Sequence, residues 1–322
     1  MRYALAITGP TASGKTAVSL EVASRLGCEV ISCDSMQIYR GMDIGTAKAT
    51  SEEQALVQHH LIDIISPREC YSAEAYREDA MRSVDDIIGR GRIPLFVGGT
   101  GLYIDTLMRG APKSPPSDEA LRERLTAIGE TEEGRAKLYG QLSLIDPESA
   151  EKTHMNNLRR VVRALEIYEL TGIPKSSFDR ESREVEAELS VGMITLDFHN
   201  RENLYGRVDE RVDIMIRDGL LEEARGLFDS GVLTEDTTAA SAIGYKELVP
   251  YFRGEISLYD ACEEIKLSTR RYAKRQLTWF RHEKDAYRLF VDTENGVMKD
   301  KQELCNEAVS ITEELLSGIK KE

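Results

Sequence analysis

The apolar run Tyr3 to Ile7 leads directly into Gly9-Pro10-Thr11-Ala12-Ser13-Gly14-Lys15-Thr16, and a helical pattern follows. This is the spacing G-x-x-x-x-G-K-[ST] in the context of strand before and helix after. Its glycines permit a bend that aims successive N–H groups, a helix N-terminus and a lysine at one oligophosphate. Lys15 is the candidate to neutralise phosphate and Thr16 the candidate to ligate Mg²⁺. A plain glycine turn would leave Lys15 unexplained. The loop fixes a phosphate compound as ligand without saying what the phosphate carries.

Around this loop the pattern reads as an α/β fold. Val18, Val22, Ala23 and Leu26 recur at helical spacing and stop at Gly27, and Glu29 to Cys33 is a short apolar strand ending at Asp34. His59 to Ile64 reads as another short strand, and Ser72 can cap a helix through Tyr76, Met81, Val84 and Ile88. Ile93 to Val97 is a strand buried on both faces, ending in Gly98-Gly99-Thr100-Gly101. Ligands of open parallel sheets gather outside the carboxyl ends of the strands, so Asp34 and Thr100 are expected on the same edge as the phosphate loop.

At 322 residues the chain suggests two domains at ~100 to 200 residues each. Prolines 112, 115 and 116 make a linker, and Asp118 to Thr171 is helical only. Residues 173 to 188 read as a polar, mobile loop, and Val191 to Phe198 returns to strand character. Helices are expected over about 201 to 230 and 256 to 286, a last strand over Arg288 to Asp292, and a terminal amphipathic helix. The expected architecture is therefore a phosphate-loop parallel sheet core, residues 1–112 and 190–322, with helices on both faces and an inserted all-helical domain over 113–189.

Hydrophobic residues at 41% and charged residues at 30% are those of a soluble globular protein, and no apolar run is long enough for a membrane span. With no signal peptide and five scattered cysteines, the chain reads as cytoplasmic with reduced thiols. The net charge of −14 argues against nucleic acid, but its distribution reverses that argument. From Lys266 to Arg288 there are eight basic residues against two acidic ones. Basic residues interleaved with Trp279 and Phe280 suit RNA, whereas the aromatics alone also suit a core-facing stripe.

Other candidates have plain alternatives. Asp34 is a turn residue or, beside a polyphosphate, a proton acceptor or an outer metal partner. The long polar connection Gln37 to Lys48 favours function over packing. His59 and His60 point to opposite faces of a strand, one buried and one exposed, and lack the spacing of a zinc site. Arg159, Arg160 and Arg163 lie on a helix whose other side is apolar, free for a ligand or simply solvated. Arg207 and Arg211 alternate with Asp209 and Glu210, so ion pairing within the helix competes with ligand binding.

Taken together, several strings resemble the tRNA dimethylallyltransferase family: the loop Gly9 to Thr16, Asp34-Ser35-Met36-Gln37-Ile38-Tyr39, Gly41 to Lys48, His59 to Asp63, and Gly98 to Tyr103. Later strings agree, namely Arg163 to Glu166, Ala242 to Lys246 and Lys274 to Arg281. The resemblance spans residues 3 to about 285. Ala49, where proline is expected, and Arg159, where glutamine is common, depart from it. The chain resembles bacterial members and lacks the carboxyl-terminal zinc finger of eukaryotic ones.

The resemblance implies transfer of a dimethylallyl group from dimethylallyl diphosphate to N6 of adenosine 37 of tRNA, by a monomer that uses Mg²⁺. It makes Asp34 the general base, places Thr100 near the scissile oxygen, and gives Lys15 with Arg207 or Arg211 to the leaving pyrophosphate held by residues 9 to 16. It assigns tRNA contacts to Asp34, Ser35, Met36, Gln37 and Thr100, and to Arg122, Arg159, Arg160, Val161, Val162 and Arg163. It adds Ser241, Ala242, Ile243, Gly244, Tyr245 and Lys246, and Lys274, Arg275, Gln276, Leu277, Thr278, Trp279, Phe280 and Arg281. A kinase using the loop for ATP is the competing enzyme, though strand 93–97 ends without a Mg²⁺-holding aspartate and no arginine-rich lid follows. A non-catalytic RNA-binding module is the third reading.

Overall fold

The structure, a computed structural model, describes residues 2–109, 115, 118–184, 188–234 and 237–319. Six strands form one parallel sheet: β1 (Arg2–Thr8), β2 (Cys28–Cys33), β3 (His59–His60), β4 (Ile93–Gly98), β5 (Leu189–Asp197) and β6 (Tyr287–Phe290). Their order is β3-β2-β4-β1-β5-β6. Thr8 lies opposite Gly98 and Thr195, and Cys33 lies opposite Gly98. The register therefore brings β1, β2 and β4 to an end in line, and Gly9, Asp34 and Gly99 leave the sheet along one edge.

The helices between β1 and the insertion are α1 (Lys15–Leu26), α2 (Ser51–Leu56), α3 (Ala73–Gly89) and α4 (Gly101–Arg109). The insertion carries α5 (Glu119–Ile128), α6 (Glu132–Ile145), α7 (Pro147–Glu151), α8 (Leu158–Thr171) and α9 (Lys175–Glu184). After β5 come α10 (Arg201–Arg217), α11 (Leu220–Asp229), α12 (Val249–Phe252), α13 (Leu258–Phe280) and α14 (Lys301–Ile319). The stretch expected as helix from 201 to 230 is divided at Gly219, whose φ of 108° no α-helix accommodates.

Two compact units result, residues 1–108 with 189–322 and residues 109–188. In the first, period-two alternation sends β1 side chains to opposite faces. Leu5 and Ile7 pack with Val18 and Val22 of α1 and with Ala308 and Ile311 of α14. Ala4 and Ala6 face α3 and α4, and their small size accommodates Tyr76, which stacks on Tyr103 at 3.9 Å. Helices thus cover both faces. A third cluster packs Ile38, Tyr39 and Met42 with Val212, Leu220 and Ile265 of the later helices and with Tyr245 of the turn at 243–245.

The second unit has its own core of Leu125, Leu138, Leu142, Val161, Val162 and Leu165. Asp118, Thr131 and Asp146 cap three of its helices through side-chain oxygens. Residues 175–184 are helical, correcting the loop expected there. Polar composition hid this helix, which is held by electrostatic contacts: Asp146 accepts from the Ser176 N–H at 2.9 Å, Lys175 pairs with Asp179, and Arg180 reaches Glu148. The expected proline linker lies, apart from Pro115, outside the described residues. No helix among the described residues is long and apolar enough to cross a membrane.

Candidate active site at the carboxyl edge of the sheet

The phosphate loop closes onto α1 with Gly14 as its N-cap, at a φ of 94° and with no side-chain cap. The first turn of α1 carries no acidic side chain, so the N-terminal N–H groups and the helix dipole face the loop uncompensated. That is an anion site by construction. Lys15 Nζ donates to the carbonyl oxygens of Gly9 at 3.0 Å and Pro10 at 2.7 Å. Burial, reinforced by Arg211 and opposed by Asp34, pulls the Lys15 ammonium down to about 7.

Asp34 leaves β2 beside this cationic group. Its Oδ1 accepts the Met36 N–H at 2.9 Å, so the turn role and a place in the cavity coexist. Thr100 is tied to the same segment through backbone and side chain: its N–H donates to Cys33 O at 3.2 Å, its Oγ1 accepts from the Ser35 N–H at 3.1 Å, and its hydroxyl donates to Ser35 Oγ at 3.5 Å. Arg211 lies at the cavity, where burial lowers its pKa, Asp34 opposes that shift and Arg207 adds to it. Arg207 turns to the loop and donates to Ala12 O. Asp209, between them, pairs with Arg270 of α13 and not with either arginine's own helical turn.

Lys15, Asp34 and Arg211 line a cavity of about 340 Å³, with Thr11, Thr16 and Tyr272 also around it. Ser35, Met36 and Gln37 also reach it, as do Ser241 to Gly244, Lys246, Arg275 and Gln276. Gln37 is fixed from both ends, accepting from Ser32 Oγ at 2.9 Å and donating to the Thr46 and Ala47 carbonyls at 3.3 Å.

Much of the polar stretch 37–48, expected to be functional, holds itself together: Lys48 is buried against Asp43, Asp63 and the Tyr39 carbonyl. The two histidines are also corrected. Both are partly buried, His59 bonded to Val57 O and His60 to Glu29.

Two residues that sequence reasoning did not single out complete the site. Glu223 accepts the N–H groups of Asp43, Ile44 and Gly45 and the Tyr245 hydroxyl at 2.6 Å, tying the loop after Asp34 to the 241–246 segment. Tyr272 lines the cavity near Asp34; burial and that carboxylate push its hydroxyl pKa up. The i, i+4 relation of Tyr272 to Gln276 on a cationic helix was its one sequence signal.

The strings assigned to RNA divide by helix face. Val161 and Val162 belong to the second unit's core, and Leu277, Phe280, Ala242 and Tyr245 are buried in the first unit. Arg163 and Arg122 are not free cations, because the buried Glu166 carboxylate binds both. Arg281 grips Asp197, and the Thr278 hydroxyl donates to Lys274 O within its helix. Gln276 is buried with its amide engaged at both ends. Arg159, Arg160, Lys246, Lys274 and Arg275 are exposed, and Trp279 is partly exposed over Gly101.

Among the described residues no three His, Cys, Asp or Glu side chains form a metal cage. The loop instead offers hydroxyls: Thr16 lines the cavity, and the buried Ser13 Oγ has no hydrogen-bond partner. Neutral hard oxygens beside a diphosphate fit Mg²⁺, which keeps waters and phosphate oxygens as its main ligands.

With this geometry in view, similarity to known proteins is specific. The sequence pattern of a family described as IPP transferase matches residues 37–283. A tRNA dimethylallyltransferase of Geobacillus thermodenitrificans is 49% identical over 279 residues, covering 86% of this chain and 87% of that protein. One from Shouchella clausii is 46% identical over 283 residues, covering 88% and 89%. The solved tRNA isopentenylpyrophosphate transferase of Bacillus halodurans superposes with a TM-score of 0.70 at 41% identity, covering all of both chains. A eukaryotic dimethylallyltransferase described as acting on tRNA superposes with a TM-score of 0.74 at 32% identity, covering 90% of this chain and 74% of that one.

Proposed function

The chain belongs to the IPP transferase family and is a transferase that prenylates tRNA; on that premise we propose dimethylallyl diphosphate as donor, N6 of adenosine 37 as acceptor and Asp34 as general base. The observation that carries the finer reading is the meeting of the phosphate loop and Asp34 around one cavity, at the sheet edge from which the Thr100 segment also departs. We further propose that the protein works as a monomer in the cytoplasm.

The exocyclic amine of adenine is a weak nucleophile, its lone pair being delocalised into the ring. As N6 bonds to C1 of the dimethylallyl group, the C1–O bond to the diphosphate breaks and its electron pair leaves with pyrophosphate. The N6 proton passes to the Asp34 carboxylate.

Charge accumulating on pyrophosphate meets Lys15, Arg211 and the N-terminal N–H groups of α1. The Thr100 hydroxyl accepts from the Ser35 N–H and donates to Ser35 Oγ at 3.5 Å, a long bond from which its proton would turn to the bridging oxygen when the donor binds. Thr16 would hold Mg²⁺, which when bound would add further neutralisation of the leaving group. Adenosine 37 must leave the anticodon stack to reach Asp34, and exposed Lys274, Arg275 and Lys246 suit the RNA backbone around it.

The test is incubation of protein and Mg²⁺ with labelled dimethylallyl diphosphate and unmodified tRNA, beside an arm with ATP alone. Label is expected on the RNA and absent when adenosine 37 is replaced by guanosine. ATP consumption with no prenyl transfer would overturn the reading.

A further inference from the structure

Gln276 lies on α13 and is 5% exposed, yet its carboxamide makes two long-range bonds. Oε1 accepts the Thr11 N–H at 2.8 Å and Nε2 donates to Gly99 O at 2.9 Å. The partners dictate the amide's orientation, since Thr11 offers a donor and Gly99 an acceptor. A Cβ on Gly99 would stand 2.1 Å from Nε2, so this approach requires glycine there. Thr11 belongs to the phosphate loop and Gly99 directly precedes Thr100. One side chain therefore spans the two segments between which the donor's C–O bond must lie.

We infer that Gln276 is a positioning residue for the transfer, a strut that fixes the phosphate loop relative to Thr100; the inference rests on the proposed placement of the diphosphate in that loop. The strut is rigid because its helix is anchored in the sheet core on either side, by Ala273 and Leu277. Displacement of a reacting group by ~1 Å costs on the order of 100-fold in rate, so a strut between two catalytic segments acts on turnover through the groups it positions. A Gln276 that contacted RNA would act on affinity instead.

Gln276→Met keeps the length and removes both bonds. Gln276→Glu keeps an acceptor for Thr11 but sets a carboxylate oxygen against the Gly99 carbonyl. Single-turnover transfer at saturating donor and tRNA is measured beside tRNA affinity by filter binding. The expected result is a rate about 100-fold below wild type in both variants, with tRNA affinity within about twofold. Wild-type rates at saturation, or a loss of tRNA affinity that accounts for the whole defect, would overturn the strut.

Absence of transfer in the wild type would instead overturn the donor and acceptor reading. The strut then stands or falls on the wild-type protein itself. The Gln276 side-chain amide protons are expected to exchange slowly and to keep their NMR positions when tRNA is added. Exchange as fast as that of an exposed glutamine, or a large shift on RNA binding, would refute it.

Discussion

The Nε of Arg207 donates to the carbonyl oxygen of Ala12 at 2.7 Å, and Ala12 holds the left-handed φ of 62° inside the phosphate loop. A non-glycine residue in that region costs of order 1–3 kcal/mol and persists when its surroundings fix it. Arg207 is one such fixture, whereas Arg211 lines the cavity near Asp34. The two arginines, equivalent in sequence spacing, therefore have separable roles. Arg211→Ala is expected to lower kcat about 100-fold by removing charge stabilisation of the leaving group. Arg207→Lys, which cannot reproduce the directed Nε bond, is expected to act through the loop and weaken donor binding about tenfold. Steady-state kinetics with separate donor titrations would contradict this division if both variants changed kcat alone.

Asp34→Asn tests the general base without disturbing the turn. The Asn oxygen can still accept the Met36 N–H that Asp34 Oδ1 accepts at 2.9 Å, so the turn and RNA binding are expected to survive. Losing a positioned base lowers the rate typically 10²- to 10⁴-fold, and the variant should show at least about 100-fold slower transfer. Turnover at the wild-type rate would remove Asp34 from the mechanism.

What the sequence made legible was the part of the site set by short-range order. The loop before α1, Asp34 after β2 and Thr100 after β4 follow from strand endings, and the register brings them to one edge. The third dimension of the site was not legible, because its ties join residues far apart in the chain. Gln276 reaches back to Thr11, Arg207 to Ala12, and Glu223 to the N–H groups of 43–45. No local period announces such contacts. Contiguous strings also conceal which side of a helix faces solvent: Lys274 and Arg275 are exposed while Gln276 and Leu277, next in sequence, are buried.

The depressed Lys15 gives a pH signature. Its amine is at about 7 in the folded protein, through burial and Arg211 against the opposing Asp34, and returns toward its ordinary 10.5 in the unfolded chain. Between these values the unfolded chain binds more protons, so this group's contribution to stability grows as pH rises through the window and is lost as pH falls to 7. Urea unfolding of ligand-free wild type should show this rise relative to Lys15→Met, which cannot titrate. A diphosphate favours the charged ammonium, so its binding near pH 8 should take up a proton, seen calorimetrically in buffers of different ionisation enthalpy. Equal proton uptake by Lys15→Met would locate the titration elsewhere.

Salt dependence separates RNA-facing cations from structural ones on a single helix and its end. Lys274 and Arg275 are exposed, whereas Arg281 is bound to Asp197, whose side chain is 2% exposed. Each phosphate contact contributes roughly 0.7 to 0.9 to the slope of log affinity against log salt. Lys274→Ala with Arg275→Ala is expected to flatten that slope for tRNA by about 1.5 while leaving unfolding nearly unchanged. Arg281→Ala should do the opposite. It strands a buried carboxylate and is expected to destabilise the fold by about 2 kcal/mol, less than a fully buried pair because the guanidinium is 39% exposed, with little change in slope. Filter binding at several salt concentrations beside urea unfolding measures both quantities. A flattened slope in Arg281→Ala with intact stability would mean that Asp197 releases this arginine to the RNA.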